Sequence, residues 1–120
     1  MSETMGETVG KIAWFELPAG DTRRARTFYG RLFGWQFQAF DGSDHYFMTY
    51  EGGGAIHQAN DRTGPLVYFG TDDIDAAVVR VRELGGEASD KEEIPSVGYY
   101  SHCKDTEGNP FGLYQGSGSE

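Results

Sequence analysis

The chain has 120 residues, 38% of them hydrophobic, with 19 acids against 10 bases and a formal charge of −9. That length supports one hydrophobic core and excludes two independent ones, while the acidic balance disfavours nucleic acid and anionic membrane surfaces as partners. A neutral or cationic small ligand suits such a field better, although an acidic surface also serves solubility alone.

The single cysteine, Cys103, excludes an internal disulfide. No stretch has the pattern of a secretory signal or a membrane span, so a cytoplasmic protein is expected. Residues 1–10 are polar and lack apolar periodicity, and residues 116–120 are built of Gly, Ser and Glu. Both ends are expected to be flexible and without chemistry.

In chain order, the pattern predicts a strand over Ile12 to Leu17, then a helix capped by Asp21 or Thr22. Ala25, Phe28, Tyr29, Leu32 and Phe33 fall on one face of that helix, and Gly34 stops it. Strands follow at Gln36 to Phe40, Tyr46 to Tyr50 and Gly54 to Gln58, with Gly52-Gly53-Gly54 read as a hairpin turn. The second half starts with a strand over Leu66 to Phe69 and a helix capped by Asp72 or Asp73. In that helix Asp75 complements the N-terminal dipole, Arg80 and Arg82 lie toward the other end, and Gly85-Gly86 ends it. Shorter strands are expected near Glu87 to Asp90, Tyr99 to Lys104 and Phe111 to Gln115. The two halves therefore repeat one pattern at a period of about 51 or 52 residues: apolar strand, aspartate, amphipathic helix, glycine stop. Two copies cannot form an open stacked array, so they must bury each other or a second chain.

The run Asp21, Phe28-Tyr29, Phe33-Gly34-Trp35, the helix start Asp72-Asp73-Ile74-Asp75-Ala76-Ala77, Leu84-Gly85-Gly86, and Asp105-Thr106-Glu107-Gly108-Asn109-Pro110-Phe111-Gly112-Leu113 resemble the vicinal oxygen chelate superfamily. That superfamily includes glyoxalase I, bleomycin-resistance proteins and extradiol dioxygenases. The resemblance covers about residues 11 to 115. It implies an α+β fold of two βαβββ modules, about 11–60 and 64–115, whose curled mixed sheets surround a concave cleft. It also implies a homodimer, and among possible functions the sequestration of an antibiotic.

Enzymes of this superfamily hold a divalent metal with up to four ligands, one from the first and one from the last strand of each module. Carried over by spacing, these positions fall on Trp14, His57, Leu66 (or Pro65 with a slip of one) and Gly112. Only His57 can ligate, and a catalytic metal needs about three protein ligands. No metal or other cofactor is therefore expected. A rebuilt divalent site, using Glu16 with His57 and either His102 or Glu51, is the alternative.

Trp14 and Glu16 share a strand face, since side chains alternate with period two. Glu16, a carboxylate inside an aromatic strand, is expected either to be hydrogen-bonded in the cleft or to pair with Arg23, Arg24 or Arg26. His57 is either a cleft donor or general base beside Glu16, or a half-buried strand histidine with one ordinary hydrogen bond. His45 reads as a turn residue. His102 and Cys103 point to opposite faces of one strand and cannot pair, and Cys103 reads as a small packed hydrophobe. One of Tyr99 and Tyr100 should face the cleft.

The candidate ligand-binding set is Trp14, Glu16, Met48, His57, Tyr68, Tyr100 and Tyr114, with a core role open for the aromatic members and Met48. Two functions follow. One is a metal-independent protein that binds a neutral or cationic, aromatic small molecule. The other is a lyase, isomerase or dioxygenase with an altered metal site, or a metal-free acid/base catalyst using His57 and Glu16.

Overall fold

The structure is a computed structural model and describes residues 9–60 and 64–116. Among these residues the chain folds into nine strands and two α-helices. They divide into two compact units. One holds residues 14–66 and is called the first module; the other holds the described residues from 67 onward together with Val9 to Ala13, and is called the second.

The first module uses β1 (Ile12–Ala19), α1 (Thr22–Phe33), β2 (Gln38–Ala39), β3 (Tyr46–Thr49) and β4 (Gly54–Gln58). Its strands lie in the order β2-β3-β4-β1, with β1 and β4 parallel and the other pairs antiparallel. The second module uses β5 (Leu66–Gly70), α2 (Ile74–Glu83), β6 (Glu87–Ala88), β7 (Glu92–Ile94), β8 (Gly98–Lys104) and β9 (Pro110–Gly116). Here the order is β5-β9-β8-β6, again with one parallel pair, β5 and β9, and with β7 added on β8. Apart from the added edge strand β7, both modules are βαβββ units of one topology, in keeping with the internal repeat.

The helix ends follow the expected chemistry. Asp21 Oδ1 accepts from the Arg24 N–H at 3.0 Å, and Gly34, at φ 79°, closes α1 by donating to the Gly30 carbonyl at 2.8 Å. Asp73 caps α2 by accepting from the Ala76 N–H at 3.1 Å.

Several strand expectations are corrected. The Gln36 to Phe40 strand shrinks to two residues because Phe40–Gly42 turns away, with Asp41 at φ 52°. β7, a Glu-Glu-Ile edge strand paired to β8, was not foreseen, because acidic residues are weak strand formers. At the N-terminus Val9 bridges Gly70, and the Gly10 N–H donates to the Gly70 carbonyl at 2.9 Å, so the end of the segment expected to be flexible is bonded. The rest of that segment, and residues 117–120 of the expected tail, lie outside the described residues. Gly116 belongs to β9.

The helix α1 forms with the cap and stop expected, and its apolar stripe stays largely uncovered. Phe28, Leu32 and Phe33 are 57–59% exposed, and no residue of the helix is fully buried. On the same helix the Arg26 guanidinium carbon sits 3.8 Å from the centre of the Phe47 ring. Trp35, just past the helix, becomes the organiser: its indole stacks on Tyr29 at 5.5 Å and meets Phe33 at 5.1 Å and Phe15 at 5.9 Å. A Cβ at Gly52 would come within 2.6 Å of that indole, which explains the glycine there. In the second module α2 buries Ile74 and Val78 against Cys103 and Leu113.

Candidate functional site

The first module presents a polar row on an aromatic face. Trp14 and Glu16 alternate on β1, Tyr46 and Met48 on β3, and Ala55 and His57 on β4, and strand register brings them together: Glu16 opposite Ala55, Ala55 opposite Met48, and His57 opposite Tyr46. Trp14 Nε1 donates to the Tyr46 hydroxyl at 3.0 Å, and that hydroxyl donates to Glu16 Oε2 at 2.6 Å. The direction is fixed by chemistry, since an indole N–H only donates and a carboxylate only accepts. The short second bond is of the charge-assisted kind, which holds the carboxylate in one orientation.

His57 lies nearly parallel to the Tyr46 ring, with centroids 6.3 Å apart and planes 19° from parallel. Its Nδ1 stands 2.8 Å from the Gln58 carbonyl, which can only accept, so Nδ1 carries a proton and Nε2 is the ring nitrogen left to face a ligand. Trp14 also meets Tyr50 edge-on at 6.3 Å. The hydrogen bond expected of Glu16 is made to Tyr46. Arg24 lies 4.0 Å from Asp21, and Arg26 stands over Phe47.

The second module carries a related row. Tyr68 on β5, Gly112 on β9 and His102 on β8 are register neighbours across three strands. The Tyr68 hydroxyl lies 3.0 Å from His102 Nε2, spanning the glycine. Tyr100 packs 5.2 Å from the His102 ring and donates to Glu92 Oε1 at 3.0 Å. Tyr99 turns the other way, against the α2 core. Tyr114 donates to the Val97 carbonyl at 3.0 Å, and burial pushes its phenol above the usual range.

Aligning the modules on their helix caps makes Glu16 the counterpart of Tyr68 and Trp14 that of Leu66. The strand pairings then make Ala55, opposite Glu16, the counterpart of Gly112, opposite Tyr68, and they make His57 the counterpart of Tyr114. The carry-over that placed the last-strand position of the first module on His57 is therefore two residues too far along β4. The four inherited positions become Trp14, Ala55, Leu66 and Gly112, and none carries a metal donor. Ala55 and Leu66 are buried, at 0% and 3% exposure. Among the described residues no three His, Cys, Asp or Glu side chains gather as a metal site. The residues present do not fit the metal that the superfamily resemblance implies.

Of the remaining candidates, Glu51 lies in the turn after β3 and accepts from Thr49 Oγ1 at 3.3 Å. His45 is an exposed turn residue whose Nδ1 contacts Ser43 Oγ at 3.0 Å. Cys103 is buried in the α2 core, as a small packed hydrophobe, and desolvation raises its pKa. Met48 holds its place on β3, its sulfur 3.9 Å from the Tyr50 hydroxyl. Tyr46 was missed by sequence reasoning, as was Glu92. Counting back two residues from Met48 along the strand would have placed Tyr46 on the same face.

The profile of the Glyoxalase/Bleomycin resistance protein/Dioxygenase superfamily matches residues 11–113. A "Glyoxylase-like domain-containing protein" from Didymella fabae is 32% identical over 118 residues, covering 87% of this chain and 92% of the relative. Among solved structures, a variant of Streptomyces coelicolor methylmalonyl-CoA epimerase in complex with 2-nitronate-propionyl-CoA superposes with a TM-score of 0.70 at 15% identity, covering 93% of this chain and 98% of the epimerase. Homoprotocatechuate 2,3-dioxygenase from Arthrobacter globiformis also gives 0.70, at 17% identity, with 93% of this chain covering 37% of the dioxygenase. At such identities the two structures establish the fold alone. The profile match and the fungal relative go further: the chain belongs to the glyoxalase/bleomycin resistance protein/dioxygenase superfamily.

Proposed function

We propose that this protein binds a small organic ligand without a metal, taking a planar aromatic molecule, neutral or cationic, on the Trp14–Glu16–Tyr46–His57 face of the first module. The observation that carries this reading is the hydrogen-bond chain from Trp14 through Tyr46 to Glu16, at 3.0 and 2.6 Å. A carboxylate fixed in one orientation beside indole, phenol and imidazole rings suits a ligand that stacks and carries an N–H donor or a positive charge. The formal charge of −9 adds long-range attraction for a cation. Met48, which lies on the same face opposite Ala55, belongs to the proposed lining. Membership of a superfamily that includes bleomycin-resistance proteins supports sequestration as the biological use. A cytoplasmic homodimer is part of the same proposal, and light scattering that returned a single-chain mass at micromolar concentration would overturn the dimer.

A second reading, acid/base catalysis without a metal, is favoured by one observation: His57 holds Nδ1 on the Gln58 carbonyl and stacks on the tyrosine that holds Glu16, which leaves Nε2 to exchange a proton with a substrate. Proton abstraction from a bound substrate by either group needs no further cofactor.

The test is calorimetric titration of an aminoacridinium dye, a planar aromatic cation, in the presence of chelator, into the wild type, Glu16→Gln and Tyr46→Phe. Binding weakened by about tenfold or more in Glu16→Gln, with Tyr46→Phe intermediate, supports the reading. Equal affinity in all three chains removes Glu16 from the site.

A further inference from the structure

The Tyr68–Gly112–His102 row carries an inference beyond ligand binding itself. A side chain at position 112 has no room: a Cβ built on Gly112 overlaps the Tyr68 ring, with Cγ at 2.9 Å. Tyr68 is itself 6% exposed and held by strand pairing to Gly112, so its ring has little space to retreat into. Beyond the glycine its hydroxyl engages His102 Nε2 at 3.0 Å, which occupies that ring nitrogen. One residue therefore fills the volume of a side chain on β9 and occupies the imidazole on β8. Both positions would otherwise suit coordination, since register neighbours on antiparallel strands stand close enough for two side chains to share an ion.

We infer that Tyr68 is the specificity-determining residue of the second module: its ring and hydroxyl close the row at Gly112 to a divalent cation. The inference rests on the metal-free reading above. It concerns what the row refuses, so it can fail while dye binding to the first module stands, and the reverse holds equally.

The experiment uses the full chain. Nickel is titrated into Gly112→His, Tyr68→Val/Gly112→His, and that double variant with His102→Ala added, with affinity and thermal midpoint both recorded. With the ring in place, the imidazole introduced at position 112 should gain no nickel affinity over wild type. With the ring removed, it should chelate nickel together with His102, about tenfold more tightly or better, and the gain should vanish when His102 is replaced. The Tyr68→Val change keeps a strand-favouring residue on β5. Should the double variant not fold, Gly112→Ala in the otherwise native chain decides the steric half: its thermal midpoint should drop by roughly 3 °C or more. Nickel binding to Gly112→His with Tyr68 intact, or a Gly112→Ala chain as stable as wild type, would overturn the inference.

Discussion

The two helices of this protein begin alike and end in different surroundings. Both start on an aspartate cap, yet α2 buries Ile74 and Val78 in a core with Cys103 and Leu113, whereas α1 buries no residue completely and leaves Phe28, Leu32 and Phe33 more than half exposed. The first module instead gathers its aromatic rings around Trp35, outside the helix, and turns an arginine onto Phe47. An apolar periodicity therefore marks a helix without fixing how much of its stripe is covered. Coverage depends on which bulky groups pack against the helix, here Trp35 on Tyr29 and Phe33.

Mutagenesis breaks this comparison most sharply at the helices themselves. Ile74→Ala should cost about 2–5 kcal/mol in urea unfolding, and Leu32→Ala no more than about 0.5 kcal/mol. Similar losses from both would mean that α1 is seated as deeply as α2. Next in size, Trp35→Ala should cost about 3 kcal/mol, because it strips the first module of the ring on which Tyr29, Phe33 and Phe15 meet. A loss under about 1 kcal/mol, by contrast, would return the organising role to the helix.

A smaller effect separates the loops that follow from the helices. Asp105 is held below the usual carboxylate range, first by the Asn109 N–H, then by the Asn109 side chain, and further by the Glu107 N–H. A lowered carboxyl contributes stability above its unfolded value near 3.8, and that contribution is lost as pH falls through the folded pKa. Unfolding midpoints measured across the acid range should therefore fall less steeply for Asp105→Asn than for wild type. Parallel acid limbs would remove Asp105 from the account.

Much of the fold was legible in the residues. Asp21, Gly34 and Asp73 announce helix ends through their side-chain and backbone chemistry, and β4 runs from Gly54 to Gln58 as expected. The internal repeat carried the shared topology of the modules. What escaped was set by register and by groups distant in sequence. Counting along a chain cannot tell whether Ala55 or His57 lies opposite Glu16, because the loop between β3 and β4 shifts the count; the strand register assigns Ala55 to Glu16 and His57 to Pro18. Glu16 was singled out as a carboxylate in need of a partner, but the choice between an arginine and a hydroxyl depended on where Tyr46 arrived. Tyr68 looked like one more aromatic lining residue. Its relation to Gly112 appears only when strands far apart in sequence lie side by side.

The most direct test of the central claim is calorimetric titration of nickel, zinc, manganese and iron(II) into chelator-treated protein, in parallel with His57→Ala. The account predicts no near-stoichiometric metal binding to either chain, because Trp14, Ala55, Leu66 and Gly112 offer no donors. A metal bound near one equivalent by the wild type and lost in His57→Ala would contradict it, restoring His57 as a ligand and making metal-dependent chemistry the function to pursue.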